Sequence, residues 1–149
     1  MGGALLIDLS KAFDTVPHQM LVHELSAAGC GGSACEWFGS YLTGREQRVV
    51  QGQTGAPWTK ITKGVPQGSC PALSSSIYTY VRNLPAFCTA DTVQFADDIT
   101  TSAADKDLDV VAQKLTTSFE QVRDFCRDHK LTINTEKTQL MIMKSASRN

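Results

Sequence analysis

The chain lacks a surplus of charge of either sign. Fourteen Lys and Arg stand against fifteen Asp and Glu, for a formal net charge of −1. That balance excludes a histone-like or tail-like polycation that grips phosphate by bulk charge, while leaving local contacts to nucleic acid open. Long apolar runs are missing too. Stretches such as Ala4 to Ile7 fall far short of the ~20 residues that span a bilayer, so no membrane partner is expected. The N-terminus has neither a basic region nor a long apolar stretch, and so reads as no secretory signal. The five cysteines, Cys30, Cys35, Cys70, Cys88 and Cys126, are odd in number and contain no Cys-x-x-Cys. A secreted disulfide scaffold uses a denser, even set. His18, His23 and His129 do not fall at the short spacings of structural zinc sites. A reducing, intracellular compartment, nucleus or cytoplasm, is the expectation. What remains is a chain of 149 residues, 42% hydrophobic and 19% charged. Such a chain is globular and long enough for one domain. It contains no internal repeat, low-complexity tract or linker.

Ala4-Leu5-Leu6-Ile7-Asp8-Leu9 is a short apolar run broken by one carboxylate, which suits a buried strand. A lone buried Asp is costly, so Asp8 must lie at the strand's end or meet a cation. Pro17 suits a first helical turn, Met20, Leu21 and Leu25 keep helical spacing, and Gly29 stops the helix. Ser33 and Glu36 match a capping box for a second helix, with Trp37, Phe38, Tyr41 and Leu42 as its stripe and Gly44 as its end. Residues 45–53 and 58–63 read as two strands joined by a turn at Gln53-Thr54-Gly55-Ala56-Pro57. Gly64-Val65-Pro66-Gln67-Gly68-Ser69 is a loop that starts a helix running to about Leu84. Residues 92–100 form a tight hairpin with Asp97 and Asp98 at its tip. Leu108, Val111, Leu115, Phe119, Val122 and Cys126 recur every three or four residues over about five turns, the core stripe of the clearest helix. Residues 131–134 and 139–143 close the chain as two short strands. The order of elements is that of an α+β fold with a mixed sheet.

If the first strand and the hairpin are sheet neighbours, Asp8 and Asp97 converge at one edge. Two carboxylates in a low-dielectric niche repel unless a divalent cation neutralises them. Oxygen ligands without His or Cys favour Mg²⁺ or Mn²⁺ over zinc. A pair of such ions suits phosphoryl transfer. Acids are also common in turns, so spacing alone leaves metal site and plain turn both open.

Residues 8–16 (Asp8-Leu9-Ser10-Lys11-Ala12-Phe13-Asp14-Thr15-Val16), 64–69 and 95–98 (Phe95-Ala96-Asp97-Asp98) resemble the first three palm motifs of reverse transcriptases, in the style of non-LTR (LINE-like) retrotransposons. Leu131-Thr132-Ile133-Asn134-Thr135-Glu136-Lys137-Thr138 is similar to the fourth. Trp37, Tyr41-Leu42 and Arg45-Glu46-Gln47-Arg48-Val49 also resemble the family, so the likeness spans nearly the whole chain. The resemblance implies a palm-like mixed or antiparallel sheet packed on helices, from the first metal-binding strand to the fourth motif. Residues 1–149 would then be a single partial reverse transcriptase domain without complete fingers and thumb. It implies an RNA-directed DNA polymerase that uses Mg²⁺ or Mn²⁺, an RNA template, a DNA primer and dNTPs. By the same resemblance Asp8 and Asp97 hold the metals, with Asp98 beside them near the primer end. Phe13 is a steric gate against the ribose 2′-hydroxyl, Gln67 and Gly68 line the incoming nucleotide, and Lys137 protonates the leaving pyrophosphate. The plain alternatives are a core aromatic for Phe13, a helix-entry loop for Gln67 and Gly68, and a solvated surface charge for Lys137.

The sequence departs from the family after Gly68-Ser69. Cys70-Pro71-Ala72-Leu73-Ser74-Ser75-Ser76 is a shortened step followed by three serines, which lowers helix propensity and apolar burial. Together with the expected truncation, this sets a second reading beside the enzyme: a non-catalytic remnant or interaction module of a mobile element. A palm sheet without fingers and thumb would leave apolar surface exposed and favour self-association. A third reading, an unrelated nucleic-acid-binding module of split-βαβ type, needs exposed strand aromatics for base stacking, and only Trp58 and Phe95 qualify.

Overall fold

The computed structural model describes residues 1–65, 78–95 and 97–144. The chain divides into two compact units, one of Met1–Ala12 with Val81–Asn149 and one of Phe13–Tyr80.

The first unit is built on four strands, β1 (Gly2–Leu9), β6 (Asp91–Phe95), β7 (Asp98–Ala104) and β8 (Ile133–Met143). They form an antiparallel sheet in the order β6-β7-β1-β8. β1 runs through the middle, which is why its sequence is nearly all apolar. Gly3, Leu5, Ile7 and Leu9 lie on one face, and on it packs a 21-residue helix, Leu108–Asp128. Gly3 allows that approach, because a Cβ there would stand 2.8 Å from Leu115 Cδ1 and 3.0 Å from Val111 Cγ1. The helix buries Val111, Leu115, Val122 and Cys126, as its periodicity predicts, together with Ser118 and Phe125. Leu108 is instead partly exposed at the first turn. Asp107 caps that turn by accepting a hydrogen bond from Asp109 N at 3.0 Å, satisfying one otherwise orphaned donor. A four-residue helix, Leu84–Phe87, buries Leu84.

β8 is continuous, where two strands are expected, but its register against β1 breaks at the expected gap. Leu6 pairs with Gln139 and Asp8 with Asn134, so β1 advances two residues while β8 advances five. Thr138 Oγ1 donates to Asn134 O at 2.8 Å across the resulting bulge, Thr135-Glu136-Lys137-Thr138. A bulge of polar residues in one edge strand bends that strand without disturbing its partner.

The second unit contains the short helix α1 (Ala12–Thr15), whose first residue belongs to the other unit, then α2 (His18–Ala27) and α3 (Gly32–Leu42). The Leu84–Phe87 and Leu108–Asp128 helices are α4 and α5. Leu21 and Leu25 on α2, and Phe38 and Leu42 on α3, are buried. Pro17 is the N-cap of α2, one residue earlier than expected, and Gly29 takes the left-handed φ of +93° just past its end. The expected capping box is not formed. Gly31 is the N-cap of α3 with no side-chain cap, and Ser33 lies inside the helix. The following segment is not one long hairpin. β2 (Glu46–Gln47) pairs with β5 (Thr59–Lys60), and β3 (Val50–Gln51) pairs with β4 (Thr54–Gly55). The turn falls at Gly52-Gln53 rather than at 53–57. Gly52, with φ +61°, supplies the positive dihedral that a two-residue hairpin turn needs at its first central position. Residues 78–81 are helical, but the helix stops at Val81, short of the expected end near Leu84, where α4 begins instead; Gln67 and Gly68 lie outside the described residues.

Candidate active site

Alternation along β1 and β7 decides which way the acids face. Ile7 stands opposite Ile99, and both are buried on the α5 side of the sheet. The next pair along the ladder, Asp8 opposite Asp98, therefore faces the other side. Asp8 is the penultimate residue of β1 and half-buried, which meets the expectation that it lie at the strand's end. Phe95 pairs with Asp98, so Asp97 falls in the turn of the β6–β7 hairpin. Asp97 is thus at the tip and half-buried, while Asp98 is the first, exposed residue of β7.

Directly opposed side chains on one sheet face have Cβ atoms ~4.5–5.5 Å apart, and like charges so placed destabilise the pair. Among the described residues, no Lys, Arg or His nitrogen lies within 4.0 Å of Asp8, Asp97 or Asp98. No group of three or more His, Cys, Asp or Glu converges among them either. Among the described residues the groups at this edge of the sheet are carboxylates, oxygen donors only. This composition fits Mg²⁺ or Mn²⁺, which accept one or two carboxylates and complete their shells with water and substrate phosphates. A caged zinc or calcium site would require more ligands.

The other expected site residues separate into three groups. Lys137 lies in the β8 bulge, between the residues paired with Leu6 and Asp8, and is exposed. Phe13 belongs to the second unit, half-buried in α1, and its carbonyl accepts from Val65 N at 2.7 Å. That bond joins the first motif to the start of the second. Gly64 N donates to Val16 O at 2.8 Å, His18 Nε2 donates to Gly64 O at 2.8 Å, and Pro17 bridges Lys63. Gly64 itself has φ +84°, and a Cβ there would stand 2.7 Å from Asp14 O. The glycine is required by both dihedral and space. Gln67 and Gly68 form the third group, outside the described residues.

Sequence reasoning missed two neighbours of the acids. Asn134 is opposite Asp8 in the β1–β8 ladder. Phe95, opposite Asp98, is 77% exposed on the same face, and Val93, two residues earlier, is also exposed. The alternation of Asp91, Val93 and Phe95 is the signal that carries this. Met141 and Met143, paired with Ala4 and Gly2, extend the same face as exposed apolar side chains.

A mixed architecture of helices on an antiparallel sheet is consistent with a fragment of a palm-like domain. The family of reverse transcriptases (RNA-dependent DNA polymerases) matches residues 3–148, and the chain belongs to it. No individual curated protein matches alongside it. Among the described residues no helix is long and apolar enough to cross a membrane.

Proposed function

We propose that this chain is the palm of a non-LTR (LINE-like) retrotransposon reverse transcriptase that extends a DNA primer on an RNA template with dNTPs. The observation that supports the reading is the Asp8–Asp98 pair, two carboxylates on one sheet face with Asp97 in the adjoining turn and, among the described residues, no Lys, Arg or His nitrogen within 4.0 Å. In this reading Asp8 and Asp97 bind divalent Mg²⁺ or Mn²⁺, and Asp98 supports the site next to the primer end. When bound, such cations would neutralise charge and activate the primer 3′-oxygen for nucleotidyl transfer. Phe13 excludes the ribose 2′-hydroxyl, Gln67 and Gly68 line the nucleotide, and Lys137 gives a proton to the departing pyrophosphate. The compartment is intracellular, in the nucleus or cytoplasm.

The test is primer extension on an RNA template with dNTPs and Mg²⁺. Incorporation that Asp8→Asn and Asp97→Asn each abolish supports the proposal. Incorporation unchanged in both variants overturns the metal assignment.

A second reading rests on the exposed apolar side chains Val93, Phe95, Leu140 and Met141. A remnant or interaction module would use them for self-association. Sedimentation separates the two: a folded protein that binds no Mn²⁺ but assembles with concentration favours the module.

A further inference from the structure

β8 is an edge of the four-stranded sheet: β1 lies on one side of it, and its other side meets no strand among the described residues. Edge strands are commonly kept short, charged or covered, because their unpaired N–H and C=O groups recruit a further strand. The opposite edge follows that rule, since β6 has five residues and opens on Asp91. β8 does not. It runs for eleven residues, and Thr138 to Met143 contain no charge, proline or glycine. Leu140, Met141, Ile142 and Met143 are 61%, 53%, 41% and 47% exposed, so the stretch shows apolar side chains on both faces.

The pairing with β1 sets those faces. Met141 stands opposite Ala4, while Leu140 and Ile142 stand opposite Leu5 and Gly3, on the α5 side. There Thr138, Leu140 and Ile142 share a cleft of about 300 Å³ with Ala112, Thr116 and Phe119. Residues 112, 116 and 119 lie one turn apart along α5 and form a single stripe. The uncharged surface therefore continues from the free edge of the strand onto the helix.

A second copy of β8 complements this edge. A two-fold axis normal to the sheet sets two β8 strands antiparallel and keeps both α5 helices on the same face. Side-chain alternation then pairs residues of like parity across the seam. With Leu140 on the axis, Leu140 meets its own counterpart, Thr138 meets Ile142 and Gln139 meets Met141. At each end Glu136, in the bulge, comes level with Lys144 of the second copy. Among the described residues neither Glu136 nor Lys144 has an oppositely charged group within 4.0 Å. The symmetric pairing thus joins apolar to apolar in the middle and acid to base at both ends, and an isologous contact of this kind closes at two copies.

We propose that β8 pairs edge to edge with β8 of a second copy of this chain, forming a two-fold dimer with one antiparallel sheet continuous across both. The proposal rests on the self-association reading above and gives it a strand, a register and a stoichiometry. It requires neither a metal nor any residue of the carboxylate site.

Sedimentation equilibrium of the full chain in EDTA, over a range of concentrations, reads the assembly directly. The expected result is a reversible monomer–dimer equilibrium that stops at the dimer. Leu140→Lys sets two ammonium groups against each other at the axis and is expected to leave the protein monomeric, with a cooperative melt showing that it is folded. The charge pair supplies a second measurement that leaves the apolar surface intact. Glu136→Lys and Lys144→Glu should each raise the dimer Kd roughly two- to thirtyfold, the worth of two cross-strand pairs. The double exchange Glu136→Lys/Lys144→Glu should restore it. Val93→Lys, on β6, is expected to leave the dimer intact. A monomer at every concentration overturns both this proposal and the self-association reading. Assembly that dissolves with Val93→Lys but persists in folded Leu140→Lys upholds that reading and overturns the β8 pairing. Growth beyond the dimer, or a double exchange no tighter than either single variant, overturns it as well.

Discussion

Asp8 stands directly opposite Asp98 across the β1–β7 ladder, one step beyond the buried pair Ile7 and Ile99. The same alternation that packs two isoleucines under the sheet thus sets two carboxylates side by side above it. The fold places like charges together, which costs stability unless a counter-charge relieves them. Without metal, Asp98→Asn is expected to stabilise the protein by about 0.2–1 kcal/mol, the worth of a cross-strand pair. Thermal melts in EDTA measure the gain. Lower stability in the variant would show that the pair is already compensated within the protein.

Gly64 ties the second motif to the first through its close approach to Asp14. Gly64→Ala introduces a Cβ at a left-handed dihedral and against backbone. The expected loss is about 1–3 kcal/mol or more, a fall in Tm of at least about 2–4 °C for each kcal/mol in a chain of this size. A calorimetric melt checks it.

Two hydroxyls in the first unit, Thr101 Oγ1 and Ser118 Oγ, are fully buried and without a hydrogen-bond partner among the described residues. Desolvating a hydroxyl without compensation costs about 1–3 kcal/mol. Thr101→Val and Ser118→Ala are therefore expected to raise stability toward denaturant, each by about 1 kcal/mol. Destabilisation by either would mean that the hydroxyl is satisfied.

Alkaline pH has a defined effect. Burial, with a smaller contribution from Cys88, pushes the Cys126 thiol from 9.0 up to about 12. Burial, then the Glu24 charge, pushes Tyr80 from 10.0 up to about 12. Both groups stay protonated in the folded state at pH values where the unfolded chain ionises. Their contribution is complete below about pH 9 and is lost as pH rises toward 12. Tm is expected to fall over that interval, and Tyr80→Phe should make the fall shallower. Cys126 should also resist alkylation at pH 8 longer than half-buried Cys30 or Cys35.

Much of this architecture is written in local pattern. Helical spacing marks α5 because one stripe of it meets the sheet, and the alternation around Asp8 marks a strand whose end faces away from the core. The family resemblance adds what spacing does not carry, namely an expected role for acids that any turn might contain. Other features depend on contacts distant in sequence. Ser33 matches a cap in pattern, but the chain enters α3 two residues earlier, at Gly31, where no side chain is needed. The turn after β3 falls at Gly52 rather than near Pro57, since only a positive φ closes a two-residue loop there. The bulge holding Lys137 was legible as a gap between two apolar runs, yet nothing local shows that both runs pair with the same strand. Asn134 was likewise invisible as a neighbour of Asp8, because the register of β8 is set by that bulge.

The most direct test of the metal assignment is a melt of the purified chain with and without Mn²⁺, beside the Asp8→Asn/Asp97→Asn double variant. Mn²⁺ at about ten times its Kd should stabilise the wild type by roughly 1.4 kcal/mol, a rise of a few degrees in Tm. The account predicts a cooperative transition that rises with Mn²⁺ in the wild type and is unmoved in the double variant. An equal rise in both, or none in a cooperatively folded wild type, would contradict it.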